Sequence, residues 1–220
     1  MKRIFAALAI AAVAGITITA AAWDQVPVST AFASTSYGGM VPGNALDTIT
    51  ANPGWMSWGN SQNEGKDDAP YIAFTFSKPY GLQEMNVWNF GGPATGGNNL
   101  RGLCQVEVIT SPDGITFNNS LGIFTFDLAG GAPWSSDAPT AQTIALGGVV
   151  AQGVMLDIKT NWWGHYGYAA GVFDQGTSYE GTWANASIPG LNEVQFFRVP
   201  EPTSALLLGL GALALRRRRA

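Results

Sequence analysis

Between residues 70 and 198 the chain alternates apolar and polar positions with a period of two, the mark of strands with one buried face. Ile72, Phe74 and Phe76 alternate with Ala73 and Thr75. Val106 and Val108 alternate with Gln105 and Glu107, and Val154, Leu156 and Ile158 with Met155, Asp157 and Lys159. Val194 and Phe196 alternate with Glu193 and Gln195. Further strands are predicted over 82–90, 122–127 and 142–146. Turn chemistry separates them at Lys78-Pro79-Tyr80-Gly81, Pro112-Asp113-Gly114 and Gly147-Gly148. No long stretch has helical periodicity and no internal repeat is evident. Roughly seven or eight short strands so punctuated predict an all-β sandwich. Two long connections, 90–102 and 166–190, are candidates for function.

The two ends follow other patterns. Lys2 and Arg3 precede an apolar run, Ile4 to Ile18, and then Ala20-Ala21-Ala22. This is the order of a secretory signal peptide, predicted over 1–22; the alternative is an uncleaved anchor. At the other end, Pro200, Glu201 and Pro202 precede an apolar run from Ala205 to Leu215, and Arg216, Arg217, Arg218 and Arg219 follow it. About a dozen residues make a helix of roughly 18 Å, short against a bilayer core of about 30 Å. Such a run is a marginal anchor unless arginines snorkel and the bilayer thins, and the arginines would stay cytoplasmic. The plain alternative is a buried C-terminal helix. The triplet, short apolar run and arginine cluster, in that order, resemble the PEP-CTERM sorting signal of Gram-negative bacteria. The resemblance implies an exosortase as processing partner and export with a transient hold in the inner membrane. The destination would be the cell surface, the extracellular matrix or the medium. The expected organisation is a signal peptide over 1–22, a β-sandwich over 23–198 and the sorting signal over 199–220.

Setting the ends aside changes the charge balance. The body's only bases are Lys66, Lys78, Arg101, Lys159 and Arg198, whereas every acid except Glu201 lies in the body. A body this acidic excludes nucleic acid as a partner, which needs a basic face. It is also poorly suited to an anionic membrane surface. Carboxylates suit calcium, a hard cation that takes oxygen ligands. Cys104 is the sole cysteine, so no intrachain disulfide forms, and it is expected to be a small buried hydrophobe. With one histidine and one cysteine, triads are nearly excluded, and no Gly-x-Ser-x-Gly, HExxH or phosphate-cradling loop occurs. Glu64, Asp67 and Asp68 sit together in one polar stretch, read as a solvated turn or a second cation site rather than the separated carboxyls of a glycosidase. The chain is expected not to be an enzyme.

The body also resembles a family. Asn44-Ala45-Leu46-Asp47 followed by Trp55 and Trp58 looks like the opening of a discoidin, or F5/8 type C, domain. The strand at Pro70 to Phe76, the Ser-Pro-Asp-Gly turn running to Phe117, the strand from Met155 into Asn161-Trp162-Trp163-Gly164, and Gly190-Leu191-Asn192-Glu193-Val194 follow in the family's order. The resemblance implies a galactose-binding-like jelly roll. It also implies a structural calcium held by Asp47 and Glu193, with carbonyls near Ala45 and in 48–52; the family's usual glycine is here Thr48. The alternative is that Asp47 caps a turn and Glu193 lies on an edge. Carbohydrate sites combine aromatic faces with a few polar groups. The stretch Asn161, Trp162, Trp163, His165, Tyr166 is rich in both, with Trp55, Trp58 and Arg101 expected in loops near the same rim. Either the cluster binds a polysaccharide or other surface glycan, or its tryptophans plug the open end of the barrel. The function expected is that of a surface or exopolysaccharide-matrix (biofilm) protein that binds carbohydrate; the alternatives are a purely structural matrix protein and, last, a glycan-processing enzyme.

Overall fold

The computed structural model describes residues 23–36, 38–48, 54–57, 69–95, 98–166 and 188–199. Both end segments, Trp58 and the acidic stretch with Glu64, Asp67 and Asp68 lie outside the described residues.

The alternating segments form strands, and two of them are much longer than their sequence patterns. The strands are β1 (Asp24–Val26), β2 (Val28–Ala33), β3 (Trp55–Met56), β4 (Tyr71–Asn89), β5 (Leu103–Ser111), β6 (Asn119–Thr125), β7 (Gln142–Asn161) and β8 (Gly190–Arg198). One short α-helix, α1 (Trp162–His165), follows β7, and 3-10 turns occupy Pro42–Leu46, Pro93–Thr95 and Asn99–Arg101. The ladder runs β1-β8-β4-β7-β5-β6, with β2 added to β4 and β3 to β8.

β4 and β7 each serve both layers, which turns one hydrogen-bonded ladder into a jelly-roll sandwich. The first half of β4 pairs with β2 and with Gly153 to Asp157 of β7, while its second half pairs with β8 and with the first half of β7. The layers meet across an apolar interior. Phe74 and Phe76 of one layer pack on Phe196 of the other, with ring centres 5.5 and 5.3 Å apart. Ile72, Leu82, Met85, Val106, Val108, Leu156 and Ile158 fill the rest. Cys104 is buried as expected.

Two expected turns are not chain reversals. Lys78 to Gly81 lies inside β4, where pairing with β7 is interrupted between Thr75 and Tyr80. Pro79 therefore withholds its missing N–H from no ladder bond. Gly147 and Gly148 lie inside β7, both left-handed at φ 68° and 77°. The break in β4 marks its bend from one layer to the other, opposite Ala151 to Gly153 of β7, whereas Gly147 and Gly148 bulge within one layer, opposite the register shift between Leu82 and Glu84.

Candidate functional site

At one end of the sandwich β4 runs out, β5 begins and β7 ends. Leu103 faces Asn161, and Gly102 bridges to Gly190. A buried amide holds the junction. Asn89 donates to the carbonyls of Leu103 (2.7 Å) and Asp127 (2.8 Å) and accepts from the N–H groups of Phe90 (2.9 Å) and Leu103 (2.8 Å). Gly190 must be glycine here, because a Cβ would run into the Phe90 ring.

β7 stops at Asn161 because that residue caps α1. Its backbone is extended and its side chain accepts from the Gly164 N–H at 3.2 Å. Asn161 is fully buried, so it orients the turn that follows rather than reaching out of it. That turn carries the aromatic stretch. Trp162 stacks edge-on against His165 with centres 4.6 Å apart, and Tyr166 lies 5.4 Å from His165 and 6.1 Å from Trp162. The Trp162 indole N–H is covered and has no acceptor among the described residues. α1 packs against the Asn99–Arg101 turn, and the Trp162 backbone N–H donates to the Gly102 carbonyl at 3.0 Å. Arg101 therefore belongs to the segment beside the aromatics.

A further residue completes the cluster. Trp134, 56% exposed, meets Trp163 edge-to-face with centres 5.0 Å apart and planes at 82°. Its loop is pinned by the buried Asn99, whose amide donates to the carbonyls of Ala129 (2.6 Å) and Ala132 (2.7 Å). Trp134 itself is left-handed at φ 61°. The sequence pattern does not single it out. The available signal was a tryptophan just after Gly130-Gly131-Ala132-Pro133, a turn-rich stretch where a buried ring is unexpected.

Trp55 is a correction. Expected in a rim loop, it lies on β3 opposite Leu191, fully buried, with its indole N–H donated to the Thr35 carbonyl at 3.0 Å. It is core.

Asp47 and Glu193 come together. Asp47 ends the Pro42–Leu46 turn, which packs on β8, and stands exposed. Glu193 is 1% exposed, and its carboxylate accepts from the Thr48 N–H at 3.1 Å. Burial raises its carboxyl to about 7; the Thr48 N–H and Gln195 oppose this, and the Asp47 carboxylate adds to it. No basic side chain is paired with Glu193 among the described residues. A buried carboxylate beside a second one fits one side of an oxygen-ligand site, because a hard cation would offset both charges. No group of three or more acidic, histidine or cysteine ligands occurs among the described residues, so backbone carbonyls would have to complete it.

The comparisons agree with both parts of the chain. Residues 198–219 match the PEP-CTERM protein-sorting motif. The motif marks an exported protein anchored transiently at the membrane. Among the described residues no helix is long and apolar enough to cross a membrane. No curated protein matches the sequence. The body is similar in fold to an F5/8 type C domain from Bacteroides fragilis, at TM-score 0.52 and 12% identity, over 81% of this chain and 98% of that one. It is similar to the family 32 carbohydrate-binding module of Clostridium perfringens NanJ, solved with galactose, at TM-score 0.51 and 10% identity, over 80% and 100%. It is also similar to truncated AlyQ, which has CBM32 and alginate lyase domains, at TM-score 0.51 and 12% identity; 83% of this chain is covered, but only 35% of AlyQ. At these identities the likeness shows the discoidin-like fold.

Proposed function

We propose that this is an exported, non-catalytic surface or exopolysaccharide-matrix protein of a Gram-negative bacterium that binds a surface glycan through Trp134, Trp162, Trp163, His165 and Tyr166. One observation carries the reading: five aromatic rings gather at one end of a rigid sandwich, with Trp134 and Tyr166 open to solvent. Two rings at nearly a right angle make a corner that accepts the edge and face of a sugar ring. Arg101 and His165 supply polar contacts at its margin. The galactose complex of the NanJ module, a fold neighbour, supports a sugar as the ligand class. Asp47 and Glu193 hold a structural calcium on the flank, and an exosortase removes the tail after a transient stay in the inner membrane.

The test is affinity electrophoresis of the mature body in the host's own exopolysaccharide, with a broad glycan array beside it. The wild type should be retarded. Trp163→Ala or Trp134→Ala should weaken binding about tenfold, near 1.4 kcal/mol, and Trp163→Phe should keep part of it. A second reading has its own support: Trp163 is half-buried and braces Trp134, as a plug would. Unretarded migration together with a blank array would leave the plug, and a purely structural matrix protein, as the better account.

A further inference from the structure

β6 is the free edge of its layer: among the described strands it pairs with β5 alone, at the end of the ladder. The rungs tell which of its backbone groups face outward. The Phe126 N–H donates to the Cys104 carbonyl at 2.8 Å, and bonded rungs alternate with open ones along an antiparallel pair. The rung from Thr125 to Gln105 is then open, that from Phe124 to Val106 bonded, and that from Ile123 to Glu107 open. The neighbours agree. The Gln105 N–H turns the other way, to the Thr160 hydroxyl, and the Thr125 carbonyl accepts from Gln142 Nε2 at 3.0 Å. Ile123 therefore aims both its N–H and its carbonyl away from β5, and its side chain stands 61% exposed. Both flanks of this position are closed. Gln142 occupies the Thr125 carbonyl, and Gly122, at φ 107° in the register shift, gives its N–H to the Ser120 hydroxyl at 3.2 Å. The seven residues of β6 carry no charge. The acid opposite Ile123, Glu107, is tied to Lys159 and to the Ser120 hydroxyl.

We propose that β6 is a self-association edge, at which Ile123 of one copy pairs with Ile123 of a second, antiparallel about a two-fold axis. One outward donor and one outward acceptor on the same residue are matched by a strand that presents the same pair in reverse, and a two-fold copy does so by symmetry. An extended foreign strand draws its bonds from successive outward positions, and here it would meet groups already engaged on both sides. Charge favours the same occupant. The body is acidic, so two copies repel across most faces and are least opposed along a neutral edge. The two-fold pairing uses the edge up, and assembly closes at two. One rung and two isoleucines make a weak contact, which fills where copies are concentrated, as in a matrix. A consequence concerns the aromatic end. β6 runs towards α1, since Phe126 follows it and meets Cys104 near the start of β5. Antiparallel pairing turns the aromatic ends of the two copies in opposite directions, so the dimer would link two polysaccharide chains. That consequence rests on the glycan reading; the pairing does not.

The test is sedimentation equilibrium of the full chain in a density-matched nonionic detergent. The wild type should show a reversible monomer–dimer equilibrium. Ile123→Lys sets two like charges on the axis and should weaken dimerisation at least about tenfold. Ile123→Pro removes the outward N–H, leaves β5 its bonds, and should act in the same direction. Ile115→Lys, on an 82% exposed position in the turn after β5, should change nothing. Circular dichroism checks folding, and Ile123→Lys serves alone if the proline variant is not folded. In mild oxidant Ile123→Cys should give a disulfide-linked dimer, because a bonded rung sets Cα atoms about 5.5 Å apart, within disulfide reach. Cys104 is buried, and Ile115→Cys should lag well behind. A wild type that stays monomeric at its highest soluble concentration overturns the proposal. So do association that survives the substitutions at 123, assembly beyond two copies, and equal disulfide rates at 115 and 123. Precipitation of the host's exopolysaccharide reads the consequence: Ile123→Lys should abolish it while keeping retardation in affinity electrophoresis. A dimer that is never retarded counts against the glycan reading alone.

Discussion

Two non-glycine residues among those described have left-handed backbones, Thr48 at φ 67° and Trp134 at φ 61°. Each lies at a candidate site. Such a conformation costs about 1–2 kcal/mol for an L-residue and persists where the surroundings over-determine it. Thr48 is the sharper case, because a β-branched side chain fits that region worst. Its N–H is aimed at the Glu193 carboxylate, and that aim fixes the dihedral. The sequence showed the departure, threonine where the resembling family has glycine, but not that the backbone would keep the glycine's conformation. Thr48→Gly retains the N–H and removes the strain. Part of the gain is lost to the freer unfolded glycine, leaving about 0.5–1 kcal/mol. At this chain length that is roughly 1–4 °C in Tm. An unchanged or lower melting temperature would mean that the left-handed threonine carries no strain.

At the scale of elements, strands were legible and their joints were not. Alternation is a local signal, and it located β4, β5, β7 and β8 because alternate apolar side chains of each pack into the sandwich. A proline–glycine pair is also local, but it marks a hairpin and a bend within a strand alike. The outcome at Lys78 to Gly81 depended on β2, β7 and β8 gripping β4 on either side. The joint at the α1 end depends on Asn89, which nothing in its own neighbourhood announces. One side chain makes four hydrogen bonds there, tying the end of β4 to the start of β5 and to the chain after β6. Asn89→Ala strands two N–H groups and two carbonyls in a buried place. A buried unsatisfied group costs about 1–3 kcal/mol. Allowing for partial relaxation, the variant should lose about 3 kcal/mol or more, visible as a lower urea midpoint at unchanged slope. A loss under about 1 kcal/mol would show that the backbone groups find other partners and that the joint is not held by this amide.

At the scale of the whole molecule, the C-terminal sorting motif declared itself while the chain's long-range meetings did not. The sorting motif is a linear signal, so reading it needed no fold. The meeting of Trp134 with Trp163, and the burial of Trp55 against Leu191, depend on closure of the sandwich, to which no local pattern points. Asp47 and Glu193 lie between these cases: the resemblance paired them, and the fold brings the first loop onto the last strand. Their pairing makes a prediction about global stability. Without a cation, Glu193 titrates near 7 in the folded protein against an ordinary 4.5. The folded state then holds more protons than the unfolded one between those values. Its contribution is therefore full below pH 4.5 and lost as pH rises through 7, about 3 kcal/mol at about 1.4 kcal/mol per tenfold change. A bound calcium reverses the sense, because it needs both carboxylates ionised, and at a hundredfold excess over Kd it adds roughly 2.7 kcal/mol. In chelator, Tm should fall between about pH 5 and about pH 8; in calcium the fall should flatten, with the curves furthest apart at the alkaline end. Glu193→Gln keeps an acceptor for the Thr48 N–H but cannot titrate. It should level the chelator curve and erase the calcium difference, whereas Asp47→Ala should erase the difference and leave most of the slope, since burial is its larger cause. Superposed wild-type curves at the alkaline end would rule out the cation, and an unaltered chelator slope in Glu193→Gln would assign the titration to another group.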